Sequence, residues 1–227
     1  MRAARQSDRF RPKVATRGSP AWWYRMSNRA GVVVAGGRST RMGDREKAVV
    51  EVAGRPLVAR VAEALSGVAD ELVVNCRPDQ RDAIATALQG HDPVFATDED
   101  PDRGPVGGIA TGLGATTATY AAVVACDLPF LDPDLIEYLF ERAAGQEAAV
   151  PKPDEWFEPL HAVYRPEPMA AACENALAAG DVRIIEPLFT LEYTVVERRD
   201  LVAHGSLSSF ESVDTPAEVR EAADRLG

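Results

Sequence analysis

The chain has 227 residues, of which 46% are hydrophobic and 26% are charged, so one core of ordinary size could hold most of it in a single globular domain. No apolar run approaches the roughly 20 residues that a membrane-spanning helix needs. The net charge is −10 at pH 7, and a protein this acidic lacks the basic face that general nucleic-acid binding requires. We therefore expect a soluble protein that binds neither nucleic acid nor membrane.

The charge is unevenly distributed along the chain. Residues 1–25 contain seven basic residues and one acidic residue, a net charge of +6, which leaves −16 for the remainder. This basic segment has no apolar stretch of the kind found in secretory signals. We predict that it is a disordered or non-native extension and that residues 26–227 form one domain. The acidic, lysine-poor remainder resembles in composition the proteins of salt-loving microbes, which stay soluble through self-repulsion and a hydrated carboxylate surface.

The cysteines and histidines are scattered. The three cysteines are odd in number and include no CxxC pair, so they indicate neither a disulfide framework nor a zinc site: Cys76, Cys126 and Cys173. The three histidines have no metal-binding spacing, and we expect structural or surface roles for them: His91, His161 and His204. A reducing cytoplasm fits this cysteine usage.

Alternating apolar patterns organise the chain after residue 26. Short apolar runs predict buried strands at residues 30–35, 71–76, 93–97, 120–126, 148–152, 160–164 and 193–197. Apolar residues at helical spacing predict helices within 55–68, 79–90, 104–116, 132–145 and 166–180. In the fourth helix, Asp132 followed by Pro133 is typical of an N-cap and a first helical residue. This alternation predicts a mostly parallel sheet with helices on both faces.

The first strand ends in a glycine-rich loop. Gly36 and Gly37 are followed by Arg38, Arg41 and Lys47. Glycines let consecutive N–H groups form an anion-binding nest, and the cations would offset the charge of a phosphate ligand. An ordinary turn with solvated arginines is the alternative, but three cations beside two glycines in an acidic chain favour phosphate binding. The spacing matches neither a P-loop nor a dinucleotide GxGxxG loop.

Polar residues also end later strands, at the edge where parallel sheets bind ligands. Asp127 follows the strand 120–126, and a carboxylate there suits Mg²⁺, which binds one or two carboxylates together with substrate phosphate oxygens. Asn75 and Asp98 point to the same edge, either as ligands or as surface turn residues. The glycines of residues 104–108 could let a base or ribose approach the start of a helix. For Gly112 and Gly114 we expect close helix-on-sheet packing instead.

These motifs together resemble the molybdenum cofactor guanylyltransferases. The resemblance rests on VVVAGGRSTRMGDREK, VVN, TDEDPDRGPVGGI, ACDLPFL and FESVDTPAEV, and it covers residues 31 to about 220. It implies a Rossmann-like fold of the nucleotide-diphospho-sugar transferase type. It also implies a Mg²⁺-dependent reaction in which GTP and a molybdopterin-type cofactor give the guanine dinucleotide form of the cofactor and pyrophosphate, with molybdoenzymes or other cofactor-synthesis proteins as possible partners.

The resemblance also implies roles for individual residues. Val34, Ala35, Gly36 and Gly37 would contact the guanine nucleotide, mostly through backbone groups. Lys47 would bind its phosphates, Asn75 and Asp98 its nucleoside part, and Asp127 both GTP and Mg²⁺. The chain departs from the family pattern at Ser212, where the family often has asparagine, and at Glu46, where aspartate commonly precedes the lysine.

The chemistry implied is in-line attack of the pterin's terminal phosphate on the α-phosphorus of GTP. Positioning and charge neutralisation would carry the catalysis, with Lys47 and Arg41 stabilising the leaving phosphates and Asp127 binding the metal. Arg183 and Asp214 are candidates for the pterin side. Alternatives are the cytidylyltransferase of the same pterin, the guanylyltransferase of adenosylcobinamide phosphate, a sugar-phosphate nucleotidylyltransferase, and a non-catalytic adaptor that hands the cofactor on. The sequence does not determine which nucleotide base the protein prefers.

Overall fold

The computed structural model describes residues 28–37, 46–98, 100 and 103–227. The predicted extension, residues 1–25, lies outside these ranges, as do Arg38 and Arg41 of the first loop. Strands in the described residues are β1 (Arg29–Val34), β2 (Glu51–Val52), β3 (Arg55–Pro56), β4 (Glu71–Cys76), β5 (Val94–Thr97), β6 (Tyr120–Ala125), β7 (Ala148–Lys152), β8 (His161–Tyr164) and β9 (Tyr193–Glu197). All seven predicted strands are therefore confirmed, with ends that shift by at most one residue.

One seven-stranded sheet has the order β5-β4-β1-β6-β8-β7-β9. Strands β5, β4, β1 and β6 are parallel to one another, and β7 is parallel to β9. Only β8 is reversed, since it pairs antiparallel with both β6 and β7. Because β8 separates β6 from β7, those two strands run in the same direction. Their carboxyl ends therefore lie at one edge of the sheet, together with those of β1, β4, β5 and β9.

Helices cover both faces of the sheet, as predicted. They are α1 (Leu57–Ser66), α2 (Arg81–Ala87), α3 (Gly104–Gly114), α4 (Pro133–Ala143), α5 (Pro166–Ala178), α6 (Ile185–Leu188), α7 (Arg198–His204) and α8 (Pro216–Leu226). Buried residues of α1, α2, α4 and α7 share one apolar core, and those of α3, α5 and α6 share the core on the opposite face. Within the residues described, no helix is long and apolar enough to span a membrane.

Local sequence explains several helix starts. Asp132 caps α4, because its Oδ1 accepts a hydrogen bond from the Asp134 N–H at 3.0 Å, which confirms the predicted N-cap. Helix α8 was not predicted, although its N-cap Thr215 and its third residue Glu218 form a capping box, with Pro216 as the first helical residue. Its Val219 and Ala222 pack with Val52 of the small β2–β3 hairpin. Capping of α8 thereby fixes the segment that precedes it, which contains Asp214.

The glycines of α3 differ in their surroundings. A Cβ added to Gly112 would lie 2.6 Å from Val32 Cγ1, so the expected close packing on the sheet is confirmed there. The same expectation is wrong for Gly114, whose Cβ would meet nothing within 4 Å. Gly114 is the last residue of α3, where the helix leaves the sheet. Sequence spacing alone does not distinguish these two positions.

Candidate active site

Lys47 links two carboxylates that lie far apart in sequence. It begins a short 3₁₀ helix, Lys47–Val49, and its ammonium group donates to Asp127 Oδ2 and, at 2.5 Å, to Asp214 Oδ1. Asp127 lies two residues beyond the end of β6, and its backbone carbonyl accepts from the Val213 N–H at 3.0 Å. The structure thus brings together Lys47 and Asp127, as expected, and adds Asp214.

The carboxylates determine the charge state of Lys47. Its side chain is only 12% exposed, and this burial, the largest single influence, lowers its pKa. The charges and hydrogen bonds of Asp127 and Asp214 together outweigh burial, so the pKa lies above its usual value. Lys47 therefore carries its positive charge throughout the neutral pH range.

Asp127 has one oxygen that no described residue satisfies. Its Oδ2 accepts from Lys47, whereas its buried Oδ1 has no hydrogen-bond partner among the described residues. A buried carboxylate oxygen without a donor is costly unless a ligand supplies the missing interaction. One such oxygen suits Mg²⁺, which takes its remaining ligands from phosphate oxygens and water. Within the described ranges, no group of three or more His, Cys, Asp or Glu side chains could hold a metal ion. A metal at Asp127 would therefore take its other ligands from phosphate oxygens and water.

A second polar group lies at the ends of β4 and β5. The Asn75 side chain is fully buried, and its Nδ2 donates to Asp98 Oδ1 at 2.8 Å and to the Ala96 carbonyl at 3.2 Å. Its Oδ1 has no donor among the described residues. A Cβ at Gly108 would lie 2.6 Å from this oxygen, and one at Gly36 would lie 3.1 Å from Asp98 Oδ2. The two glycines thus leave space beside two polar side chains to which the family resemblance gives a role in binding the nucleoside.

Two side chains that the sequence analysis missed contact the glycine-rich loop. Arg77 Nη1 donates to the carbonyls of Gly36, at 2.9 Å, and Gly37, at 2.8 Å. Gln80 Nε2 donates to the Ala35 carbonyl at 3.0 Å. Because a trans peptide directs its N–H opposite to its C=O, the Gly37 N–H points away from Arg77. Arg77 and Gln80 therefore fix the orientation of the peptide groups that were predicted to bind phosphate.

Other predicted residues are placed as follows. The Val34 carbonyl accepts from the Cys126 N–H at 3.2 Å, and the Ala35 N–H donates to the Asn75 carbonyl at 2.9 Å, so these backbone groups also serve the sheet. Glu46 Oε2 pairs with Arg77 at 3.4 Å. Arg183, a candidate for the pterin side, pairs instead with its neighbours Asp181 and Glu186.

Comparisons with known proteins agree with this fold and show the family. A family model described as the MobA-like NTP transferase domain matches residues 31–192. A protein of the halophilic archaeon Natronomonas pharaonis, named a probable molybdenum cofactor guanylyltransferase, is 63% identical over 201 residues, covering 88% of this chain and 100% of that protein. A Haloferax mediterranei protein of the same name is 40% identical, covering 88% of this chain and 95% of its own. The solved structure of molybdopterin-guanine dinucleotide biosynthesis protein A from Archaeoglobus fulgidus has a TM-score of 0.74 at 28% identity, covering 87% of this chain and 98% of that chain. The chain belongs to the MobA-like NTP transferase family.

Proposed function

We propose that this protein transfers GMP from GTP to the phosphate of a molybdopterin-type cofactor, forming the guanine dinucleotide cofactor and releasing pyrophosphate. The observation that carries the proposal is the Lys47–Asp127 contact at the carboxyl edge of the sheet. It combines a charged group suited to phosphate binding with a carboxylate whose second oxygen has no hydrogen-bond partner among the described residues. The names of the relatives supply the identities of donor and acceptor.

The charges of the site support a requirement for Mg²⁺. Lys47, Asp127 and Asp214 together carry a net charge of −1, which repels a bare triphosphate at short range. Asp127 Oδ1 would hold the metal, with Asp214 as a neighbouring carboxylate. When bound, Mg²⁺ neutralises phosphate charge and orients the phosphate oxygens.

The residues of the chain position two anions and stabilise the charge that develops between them. Lys47 can move from the carboxylates to the triphosphate, where it would stabilise the charge building on the departing pyrophosphate. Arg77 and Gln80 keep the loop peptides in place, so that the Gly37 N–H can donate to a phosphate. Attack by the acceptor phosphate breaks the α–β phosphate bond and needs no protein base, because the attacking oxygen is already ionised at neutral pH.

Asn75 and Asp98 would bind the nucleoside. The unsatisfied Asn75 Oδ1 can accept from an N–H of the base, and Asp98 Oδ2 lies beside the space left by Gly36. A ligand donor at Asn75 would remove the cost of its buried, unpaired acceptor.

Pyrophosphate release by the full-length protein tests the proposal. GTP, CTP and ATP would each be supplied with molybdopterin, adenosylcobinamide phosphate or a sugar 1-phosphate, with and without Mg²⁺. We expect release with GTP and molybdopterin in the presence of Mg²⁺. Preference for CTP or for another acceptor would assign the chain to a sister activity, and binding without release under every condition would favour the cofactor-handing adaptor.

We further propose that residues 26–227 are the single nucleotidyltransferase domain and that the protein works in the cytoplasm. All three cysteines are free and buried, which suits a reducing compartment. Deleting residues 1–25 is expected to leave kcat/KM within twofold of the full chain. A truncated protein that folds, by circular dichroism, but loses activity would contradict this division. Molybdoenzymes that receive the product are the expected protein partners.

A further inference from the structure

The loop between β7 and β8, residues 153–160, projects from the same sheet edge as the Lys47–Asp127 contact. The strand register aligns Ala121 with Tyr164 and Tyr164 with Ala148, which places Lys152 level with Ala125 at the end of β6. Two strand spacings separate β6 from β7, about 10 Å. The loop therefore begins within the length of one extended substrate from the proposed phosphate site.

This loop is fixed to the protein at several points. Arg198 Nη1 donates to the Pro153 carbonyl at 3.0 Å and to Asp154 Oδ1 at 2.8 Å. The Phe157 ring packs edge-on against Tyr193 at 6.1 Å and against Phe189 at 6.3 Å. The loop is thus a defined surface on which a side chain can be presented to a ligand.

Trp156 lies within this fixed loop but is 76% exposed. Its neighbour Phe157 is partly buried and packs against the core, so the two adjacent aromatic rings have opposite environments. A ligand that covered this ring would remove its apolar surface from water, which is favourable. A flat indole face is suited to stacking against a flat heteroaromatic ring.

Three charged groups at this loop have no ionic partner in the described ranges: Lys152, Glu155 and Glu158. Lys152, at the end of β7, lies 5.7 Å from the centre of the Phe157 ring and forms no ion pair there. Glu158 is partly buried, and this burial and the nearby Asp154 raise its pKa; no described cation pairs with it. Asp154 itself is neutralised by Arg198. Lys152 and the loop that follows it therefore present an unpaired cation, an aromatic face and two unpaired carboxyl groups.

We propose that residues 152–158 form the binding site for the pterin of the acceptor. Trp156 stacks on the pterin ring, Glu158 accepts hydrogen bonds from the aminopyrimidinone N–H groups, and Lys152 attracts the anionic part of the molecule. The acceptor phosphate then extends along the sheet edge toward Lys47 and Asp127. This inference rests on the proposed function, because it identifies where that reaction's acceptor binds.

A direct binding measurement can test the site without turnover. The chain contains only three tryptophans, Trp22, Trp23 and Trp156, so the full-length Trp22→Phe/Trp23→Phe variant reports on Trp156 alone. Titration with 6-hydroxymethylpterin phosphate should quench its fluorescence saturably, and Glu158→Gln in the same background should weaken binding at least tenfold. Quenching that is absent, or that rises linearly without saturation, would overturn the proposal.

Kinetics separate this proposal from the proposed function. Trp156→Ala and Lys152→Met should each raise the KM for molybdopterin at least tenfold while the KM for GTP stays within twofold, and Trp156→Phe should recover most of the loss. Val94→Ala, which shortens an exposed apolar side chain at the start of β5, away from this loop, is the control and should leave both KM values within twofold. An active wild type with an unchanged acceptor KM in Trp156→Ala would overturn the pterin site alone. An inactive wild type would overturn the proposed function, and the fluorescence titration would still decide the pterin site.

Discussion

Three glycines of α3 provide a controlled test of the nucleoside site. In Gly108→Ala the new Cβ would lie 2.6 Å from Asn75 Oδ1 and 3.1 Å from Val34 Cγ1. In Gly112→Ala it would lie 2.6 Å from Val32 Cγ1 and, at an ordinary contact distance of 3.6 Å, from Asn75 Cβ rather than its carboxamide; in Gly114→Ala it would meet nothing within 4 Å. The three substitutions add the same methyl group to the same helix, so they differ only in what that group contacts.

The magnitudes follow from two opposing effects. Alanine in place of glycine favours a helix by about 1 kcal/mol, whereas overpacking a filled site costs about 1–3 kcal/mol. We expect Gly108→Ala and Gly112→Ala to lower the free energy of unfolding by up to about 2 kcal/mol, and Gly114→Ala to be neutral or stabilising by up to about 1 kcal/mol. Only Gly108→Ala displaces the Asn75 carboxamide oxygen. Loss of its hydrogen bond should raise the KM for GTP about tenfold, equivalent to about 1.4 kcal/mol.

Urea denaturation of the three variants gives their stabilities, and steady-state pyrophosphate release gives their KM for GTP. Gly112→Ala is the decisive control, because it should lose comparable stability without a comparable change in GTP affinity. If Gly108→Ala and Gly112→Ala have equal KM values for GTP, Asn75 does not bind the nucleoside and the assignment of this region is wrong.

Three further predictions concern the phosphate site and the core. Lys47→Met and Asp127→Asn should each lower turnover at least about 10²-fold, or about 2.7 kcal/mol of barrier, with circular dichroism unchanged; near-normal turnover in either variant would remove that side chain from the mechanism. Arg77→Ala should lower kcat/KM by about 10²-fold by releasing the loop carbonyls, whereas the exposed Arg81→Ala should have little effect, and equal kinetics in the two would refute the positioning role. Burial lowers the pKa of His161 to about 3, so the unfolded chain binds the extra proton between about pH 6.5 and 3, and stability should fall as pH falls through this window by up to about 1.4 kcal/mol per pH unit. Urea midpoints of His161→Gln should show a shallower acid dependence than wild type, and parallel curves would contradict the buried neutral imidazole.

The sequence predicted the strands of the sheet. The central strands β1, β4, β6 and β8 are short, mostly apolar runs that are buried on both faces, and such runs can be identified without information about their partners. The more exposed edge strands β5 and β9 were still recognisable as short apolar runs. The N-cap role of Asp132 was equally predictable from the sequence, because a capping side chain bonds to the backbone of its own helix. The position of Asp127 at the carboxyl edge of the sheet followed from strand direction, and the family resemblance implied that Lys47 acts at the same site.

Features that depend on distant partners were not predictable in the same way. The direction of β8 could not be predicted from its hydrophobic pattern, since a buried strand has the same apolar pattern whether it is parallel or antiparallel to its neighbours. Arg77 and Gln80 follow β4 and have no sequence feature that distinguishes them from other surface polar residues. Only the folded structure shows that their side chains donate hydrogen bonds to the backbone carbonyls of the loop after β1. Asp214 was considered for the pterin side, but it contacts Lys47, which lies 167 positions earlier in the chain. The capping box at Thr215 was the local signal that could have predicted helix α8 and the fixed position of Asp214.

The identity of the reaction product tests the central claim most directly. The full-length protein would be incubated with GTP, Mg²⁺ and molybdopterin, and the products analysed by anaerobic mass spectrometry together with a pyrophosphate assay. The account predicts a species with the mass of molybdopterin plus one GMP unit less water, formed in equal amount to pyrophosphate and absent with Asp127→Asn. Release of GDP and inorganic phosphate, or unchanged molybdopterin beside intact GTP, would contradict it.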